Sequence, residues 1–189
     1  MGIRTAAIDY GGDDGPGVLG AISATPGYYT KTTIKKDGSS IETFDTSKYD
    51  LDKKMAAQNN AGKSCVAGAK KVFNDLYGDK DIAPKVSNAA VMDNKYKKNG
   101  NYTVNTTPKV GAMMNFEANT KVSKGWTYGS QGHVEIVKSI EYNADGTIKS
   151  ITTVGSNQSS ASHTYSGSQY YGWVNNKNGS RVHFITPNF

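Results

Sequence analysis

The sequence lacks the features that commit a chain to a membrane or to a disulfide-stabilised scaffold. It has one cysteine, Cys65, among 189 residues, which excludes an internal disulfide and favours folding in a reducing compartment. No apolar run approaches the roughly 20 residues that cross a bilayer, and residues 1–4 lead into no apolar signal core. We therefore expect synthesis in the cytoplasm without a signal peptide, and delivery by another route if the protein acts outside it.

Acidic residues are also scarce relative to basic ones. The chain has 16 Asp and Glu against 22 Lys and Arg, which gives a net charge of +6 and a pI of about 9.2. A basic surface favours an anionic partner, such as nucleic acid, anionic lipid or the acidic polymers of a bacterial envelope. The basic residues are scattered, with no arginine-rich helix and no zinc-ligand spacing, which argues against nucleic acid. A solubilising surface is the simpler explanation of the charge.

What the chain does contain predicts one folded domain with an attached arm. Twelve Tyr, 5 Phe and 2 Trp supply bulk for a core. Residues 1–50, rich in Gly, Thr, Ser and Asp, are interpreted as an N-terminal arm, and residues 51–189 as the main domain. Within the arm, Asp37-Gly38 lies between two β-favouring runs over 32–44 and predicts a hairpin.

The main domain begins with helical patterns and continues with strand patterns. A helix is predicted over 64–77, with Ser64 as its N-cap and Gly78 at its end. A second helix is predicted over 88–96. The predicted strands are 112–116, 133–142, its hairpin partner 147–155, 170–174 and 181–185. Helices followed by antiparallel strands indicate an α+β fold, with N-terminal helices packed on an antiparallel sheet.

Cys65 is the first candidate for chemistry. A thiol in the first turn of a helix feels the positive end of the helix dipole, which favours the thiolate. The free backbone amides at the same position can stabilise an oxyanion. A free cysteine is also a common small core residue, so position alone leaves a nucleophile and a core residue as alternatives.

His133 is the candidate base for this thiol. It begins a strongly β-patterned run, and alternation places His133, Glu135 and Val137 on one face of the strand. An ordinary surface histidine is the alternative, and His163 and His183 are rivals for the role. We interpret His163 as part of a serine-rich loop and His183 as part of the terminal strand.

Asn157 is the candidate for orienting the imidazole through its far ring nitrogen. It follows the strand predicted to return beside the His133 strand, so hairpin geometry brings it to the same edge. An asparagine that simply ends a strand is the alternative. The three catalytic candidates are thus Cys65, His133 and Asn157.

Several short motifs together resemble the CHAP domain, the cysteine, histidine-dependent amidohydrolases and peptidases that cut bacterial peptidoglycan. The motifs are Ser-Cys at 64–65, Pro-x-x-Gly at 108–111, Gly-His-Val-x-Ile-Val at 132–137, Gly-Ser-Asn at 155–157, Tyr-Gly-Trp at 171–173 and His-Phe-Ile-x-Pro at 183–187. Their order and spacing carry the resemblance, which covers roughly residues 55–189. It implies a papain-like fold in which Cys65 attacks an amide carbonyl, His133 shuttles the proton and Asn157 orients His133.

The sequence departs from the pattern of these domains at three positions. Ser64 stands where Gln often precedes the cysteine, Ala112 where many members have Asp, and Gly155 where lysin members often carry Glu. The expected triad is therefore Cys-His-Asn, with no carboxylate nearby in sequence.

No metal or other cofactor is expected. Some lysin members bind calcium through an Asp-rich loop before the cysteine, but residues 58–64 contain no Asp or Glu. Asp9, Asp13 and Asp14 form the one acidic loop that offers an alternative Ca²⁺ site. Among the aromatic residues, Trp126 and Tyr128 lie just before the histidine and are predicted to bind substrate, whereas Trp173 is predicted to pack in the core.

These inferences predict a monomeric, bacteriolytic hydrolase whose partner is bacterial peptidoglycan. A phage endolysin or virion-associated lysin, made in the bacterial cytoplasm and acting on the cell wall, is the preferred interpretation. An interbacterial amidase effector shares the chemistry and is one alternative. A non-catalytic phage tail or wall-binding module is the other, and an unreactive Cys65 thiol would favour it.

Overall fold

A large antiparallel sheet forms the frame of the molecule. The computed structural model describes residues 30–189, together with the backbone of two short strands before them, Ile8–Asp9 and Gly17–Leu19. Ten strands join in one sheet in the order β1-β2-β3-β4-β9-β6-β12-β5, with β10 on the other side of β9 and β11 beside β10. The strands are β1 Ile8–Asp9, β2 Gly17–Leu19, β3 Thr30–Ile34, β4 Ser40–Phe44, β5 Tyr102–Asn105, β6 Met113–Phe116, β7 Lys121–Ser123, β8 Trp126–Thr127, β9 His133–Tyr142, β10 Ile148–Val154, β11 Ser162–Ser166 and β12 Val182–Pro187.

Within residues 30–189, four α-helices accompany the sheet. They are α1 Leu51–Asn60, α2 Cys65–Tyr77, α3 Met92–Lys97 and α4 Gly167–Val174, and a short 3-10 helix, Ala89–Val91, leads into α3. Helix α2 lies against β9, and α1 lies against α2. Strands β7 and β8 form a separate two-stranded sheet. The mixed helix and antiparallel-sheet class predicted from the sequence is confirmed.

Strand β9 organises the sheet because it pairs with three strands. Its first half pairs with β6 and its second half with β4, while β10 runs along its other edge. The hairpin predicted over 32–44 is present as β3 and β4 and joins the same sheet as the main domain. Among the described residues, no helix is long and apolar enough to cross a membrane.

The helix that carries Cys65 has the cap and the apolar spacing that the sequence predicts. The Ser64 hydroxyl accepts a hydrogen bond from the amide of Ala67 at 3.2 Å, and Gly78 ends the helix in a left-handed conformation. The apolar positions of this helix are buried against the sheet: Val66, Ala69, Val72, Phe73 and Leu76. The first helix prediction is therefore confirmed, and the second corresponds to the 3-10 turn and α3.

Two predictions about the C-terminal third are wrong. Residues 170–174 lie in helix α4, because Ser166 and Gln169 form a capping box that begins a helix at Gly167. His163 does not lie in a loop: it belongs to β11, which pairs with β10. Helix α1 has no counterpart in the prediction, since it buries only Leu51 and Met55 and its pattern is weak.

Candidate active site

The start of α2 brings Cys65 against the start of β9. The His133 side chain and the backbone amides of Val66 and Val134 lie close enough to the Cys65 thiol to stabilise its charged form. Cys65 is half-buried, whereas His133 is only 6 % exposed. Two of the three predicted catalytic residues are therefore in direct contact, although 68 positions separate them in sequence (133 − 65).

The contact shifts both pKa values in the directions that favour an ion pair. Burial alone would raise the pKa of Cys65, but the hydrogen bond and charge of His133 outweigh it and lower the thiol pKa. Burial alone would lower the pKa of His133, but Cys65 and Glu135 raise it to about 10. Both shifts favour a thiolate beside an imidazolium, which is the reactive form of a cysteine nucleophile.

Glu135 supplies a carboxylate directly behind this pair. It is fully buried, and its Oε1 lies 2.6 Å from His163 Nδ1 and 3.5 Å from His133 Nε2. Its Oε2 accepts hydrogen bonds from Thr153 at 2.7 Å and Tyr165 at 2.8 Å. Burial opposes ionisation, but the donors lower the pKa of Glu135, so the carboxylate remains charged.

The hydrogen bond expected from Asn157 comes from the next residue instead. Gln158 Oε1 lies 2.7 Å from His133 Nε2. The Asn157 side chain is exposed, and its backbone amide donates to Asn59 Oδ1 at 3.0 Å. The reason is local: Asn157 adopts a left-handed conformation with φ 59°. The chain therefore turns at Asn157, and the Gln158 side chain reaches the imidazole.

Gly155 leaves room beside the imidazole for Glu135, so that the carboxylate comes from β9 and not from position 155. A Cβ at this position would lie 2.6 Å from Gln158 Oε1 and 3.1 Å from Glu135 Cγ. The space beside the imidazole is therefore filled by Gln158 and Glu135, and a side chain at 155 would displace them. The expectation that no carboxylate lies nearby in sequence was wrong, because Glu135 is two residues from His133 on the same strand face.

Gly132 fixes the entry of the chain into β9. Its φ is +63°, and a Cβ there would lie 2.4 Å from the carbonyl oxygen of Phe116 and 3.0 Å from the amide of Ala90. Glycine is therefore required by the close approach of β6 and the 3-10 helix. A second anchor lies at the helix, where Ser156 Oγ donates to the carbonyl of Ser64 at 2.9 Å.

The two predicted substrate-binding aromatics occupy different positions. Tyr128 is buried, and its ring stacks on the His133 imidazole with centroids 4.4 Å apart and planes 17° apart. Trp126 is 37 % exposed, with its ring 5.3 Å from Tyr128 and 5.0 Å from His163. Tyr128 thus holds the imidazole, while Trp126 offers the exposed aromatic surface beside the site.

The two other histidines, His163 and His183, belong to different clusters. His163 belongs to the Glu135 network, and its alternation with Tyr165 along β11 is the sequence signal that would have revealed both residues. His183 lies with Asp93 and Glu117 in another cluster, the one group of three potential metal ligands among the described residues. Of the alternative calcium site, Asp13 and Asp14 and the side chain of Asp9 lie outside the described residues.

The chain was compared with protein-family models, with curated proteins and with solved structures. A family model described as the CHAP domain matches residues 55–157, which is more than half of the chain. The chain is also similar to the crystal structure of an N-acetylmuramoyl-L-alanine amidase from Staphylococcus aureus, with 20% identity and a TM-score of 0.44. That match covers 66% of this chain and 30% of the amidase chain. No match is found among curated proteins.

Proposed function

The chain belongs to the CHAP domain family, and we propose that it is a peptidoglycan hydrolase that cleaves an amide bond with Cys65 as nucleophile. The observation that carries the proposal is the contact between the Cys65 thiol and His133, inside the region that matches the family. The helix that carries the cysteine packs on the sheet that carries the histidine, and this arrangement supports a papain-like fold. His133 acts as the acid and base of the reaction.

The first half of the reaction forms a thioester. The Cys65 thiolate attacks the carbonyl carbon of the amide, and the carbonyl electrons move to the oxygen. The first backbone amides of α2 have no intrahelical acceptor, and that of Cys65 stabilises the oxyanion. The intermediate collapses as the C–N bond breaks, and the His133 imidazolium donates its proton to the departing amine.

The second half regenerates the enzyme. A water molecule gives a proton to neutral His133 and attacks the thioester carbonyl. The C–S bond breaks, the product leaves as a carboxylic acid, and the thiolate and imidazolium are restored. The same ring therefore serves as acid in one half-reaction and as base in the other.

Glu135 and Gln158 act on His133 rather than on substrate. Both contact the side of the ring that carries Nε2, which leaves Nδ1 for the thiol. A buried carboxylate stabilises the imidazolium, and an amide oxygen fixes the tautomer and orientation of the ring. In this proposal the orienting role predicted for Asn157 passes to Gln158, with Glu135 as the charge behind it.

Two features favour a polymeric, anionic wall substrate. Trp126 is exposed beside the site and can stack on a sugar or peptide group. The net charge of +6 favours association with an acidic envelope polymer. We propose a phage lysin as the biological setting, because the motif order resembles lysin members of the family, and a monomer as the active form.

The experiment that tests the function is digestion of purified peptidoglycan by the wild type and Cys65→Ala, followed by mass spectrometry of the fragments. We expect fragments from the wild type only, with masses that identify the amide bond cut. Equal melting temperatures for the two proteins would establish that the variant is folded. Fragments released equally by folded Cys65→Ala would exclude the cysteine mechanism, and no fragments from several wall types would favour a non-catalytic wall-binding module.

A further inference from the structure

A second cluster of ionisable side chains lies on the face of the sheet opposite the His133 side chain. Directly opposed residues on antiparallel strands project to the same face. His133 is opposed to Phe116, whereas His183 is opposed to Asn115, so His183 and His133 project to opposite faces. The face that carries His183 is covered by α3, which contacts β12 and brings Asp93 to the cluster.

The ligand atoms in this cluster have the spacing of a metal site. His183 Nδ1 lies 3.4 Å from Asp93 Oδ2 and 3.4 Å from Glu117 Oε1, and one ligand atom from each residue lies within 4.8 Å of the other two. Zinc binds nitrogen and oxygen at about 2.0–2.1 Å, so the edges of its tetrahedron measure about 3.3–3.4 Å. Both distances from the histidine nitrogen match such an edge.

The protein does not satisfy this cluster by itself. Asp93 is 8% exposed, and its Oδ1 is buried without a hydrogen-bond partner, as is His183 Nδ1. Asn115, fully buried and opposed to His183 on β6, also leaves both Oδ1 and Nδ2 unpartnered. Buried polar atoms without partners are rare, and several in one place indicate an additional group that they bind.

The charges of the cluster formed by Asp93, Glu117 and His183 also favour a bound cation. Asp93 and Glu117 both approach the same nitrogen of His183, so their two carboxylates lie close together. Arg181 and Lys97 add positive charge near Glu117 and His183. The Arg181 guanidinium, however, donates to the Ala118 carbonyl. Among the ion pairs of residues 30–189, neither Arg181 nor Lys97 is paired with Asp93 or Glu117.

We propose that Asp93, Glu117 and His183 bind one divalent transition-metal ion of the zinc type, with Asn115 Oδ1 available as the fourth ligand. One imidazole and two carboxylates, with an amide oxygen, form a hard-to-borderline donor set that suits zinc better than soft, thiolate-preferring ions. The ion would join α3, the end of β6 and β12, and none of its three ligands is among the residues that interact with Cys65 or His133. Its role is therefore structural, and it lies outside the proposed hydrolysis.

The test is a zinc titration by calorimetry, made in a Cys65→Ala background so that the active-site thiolate cannot bind the metal. We expect about one equivalent of Zn²⁺ to bind and the melting temperature to rise with zinc concentration, because the ion binds only the folded state. His183→Ala and, as a milder change, Glu117→Gln should each weaken binding by about 10-fold or more. Tetrahedral Co²⁺ absorption in the same background gives a readout independent of stability.

A matched control distinguishes this site from the other histidine–carboxylate cluster. His163→Ala removes the imidazole that contacts Glu135 on the opposite face, and it should leave zinc binding unchanged. Absence of zinc binding at millimolar concentration would overturn the proposal and favour a shared proton between Asp93 and Glu117. Binding that survives His183→Ala, or that is lost in His163→Ala, would also overturn it.

Discussion

The described part of the molecule contains two clusters that pair histidine with carboxylate, on opposite faces of the same sheet, and they differ in how completely the protein satisfies them. Glu135 is fully buried and receives donors from His163, Thr153 and Tyr165, with His133 close by. Around Asp93 and His183, by contrast, buried polar atoms remain without partners. A buried charge is tolerated only when it is paired and hydrogen-bonded.

The difference separates a site that is preorganised from one that is incomplete. Donors held around Glu135 keep the carboxylate charged and its geometry fixed before any substrate arrives, which is what catalysis requires of a supporting group. One atom in that site, Gln158 Nε2, is itself buried and unpartnered. The cluster at Asp93 lacks such donors, so its geometry depends on a bound cation or proton.

The largest effect is expected from Glu135→Gln, which tests whether the complete cluster supports catalysis. The substitution keeps the shape but removes the charge behind His133, and we expect kcat to fall by about 10²–10⁴-fold, as for carboxylates that support a catalytic histidine elsewhere. The measurement is peptidoglycan hydrolysis under single-turnover conditions. Glu141→Gln is the control, because it makes the same change on the same strand at an ion pair with Lys149, and activity should stay within about twofold.

The next effect concerns the Cys65 thiol. Because its pKa is lowered mainly through His133, the wild-type thiol should reach its full alkylation rate at a lower pH than a free cysteine does. In His133→Ala the thiol should return to a pKa of about 8.5. We expect its alkylation rate at pH 7 to fall by up to about 30-fold, since only a few per cent of the variant would be thiolate.

The measurement is the pH dependence of iodoacetamide labelling, followed by intact mass. The variant rate should rise about tenfold per pH unit below its pKa, and the wild-type rate should level off at a lower pH. Coincident profiles for the two proteins would contradict the ion pair between Cys65 and His133.

A smaller effect distinguishes the two neighbouring amides. Gln158→Ala removes the acceptor for His133 Nε2, and we expect kcat to fall by about tenfold, as for groups that orient a functional histidine. Asn157→Gly removes an exposed side chain but tolerates the left-handed backbone, so activity should stay within about twofold. The reverse order of losses would restore the orienting role to Asn157.

The sequence predicted most of the frame and part of the site. Helix 64–77 and strand 133–142 follow from a cap, an apolar spacing and a β-patterned run, all of which are local. The partner of His133 is not local, because it depends on a left-handed turn at Asn157 that moves the contact by one residue. Glu135 was visible in the alternation of β9, but its burial depends on donors from two other strands.

The smallest effect compares one residue from each cluster in metal-free protein. Thr153→Val preserves shape but removes a donor to the buried Glu135 carboxylate, and it should lower the free energy of unfolding by about 1.5–3 kcal/mol. Asn115→Leu removes a buried amide that has no partner, and it should raise that free energy by up to about 1 kcal/mol. Chemical denaturation in chelator measures both. Equal destabilisation by the two substitutions would mean that Asn115 has a partner within the protein, and the contrast between a complete and an incomplete cluster would not hold.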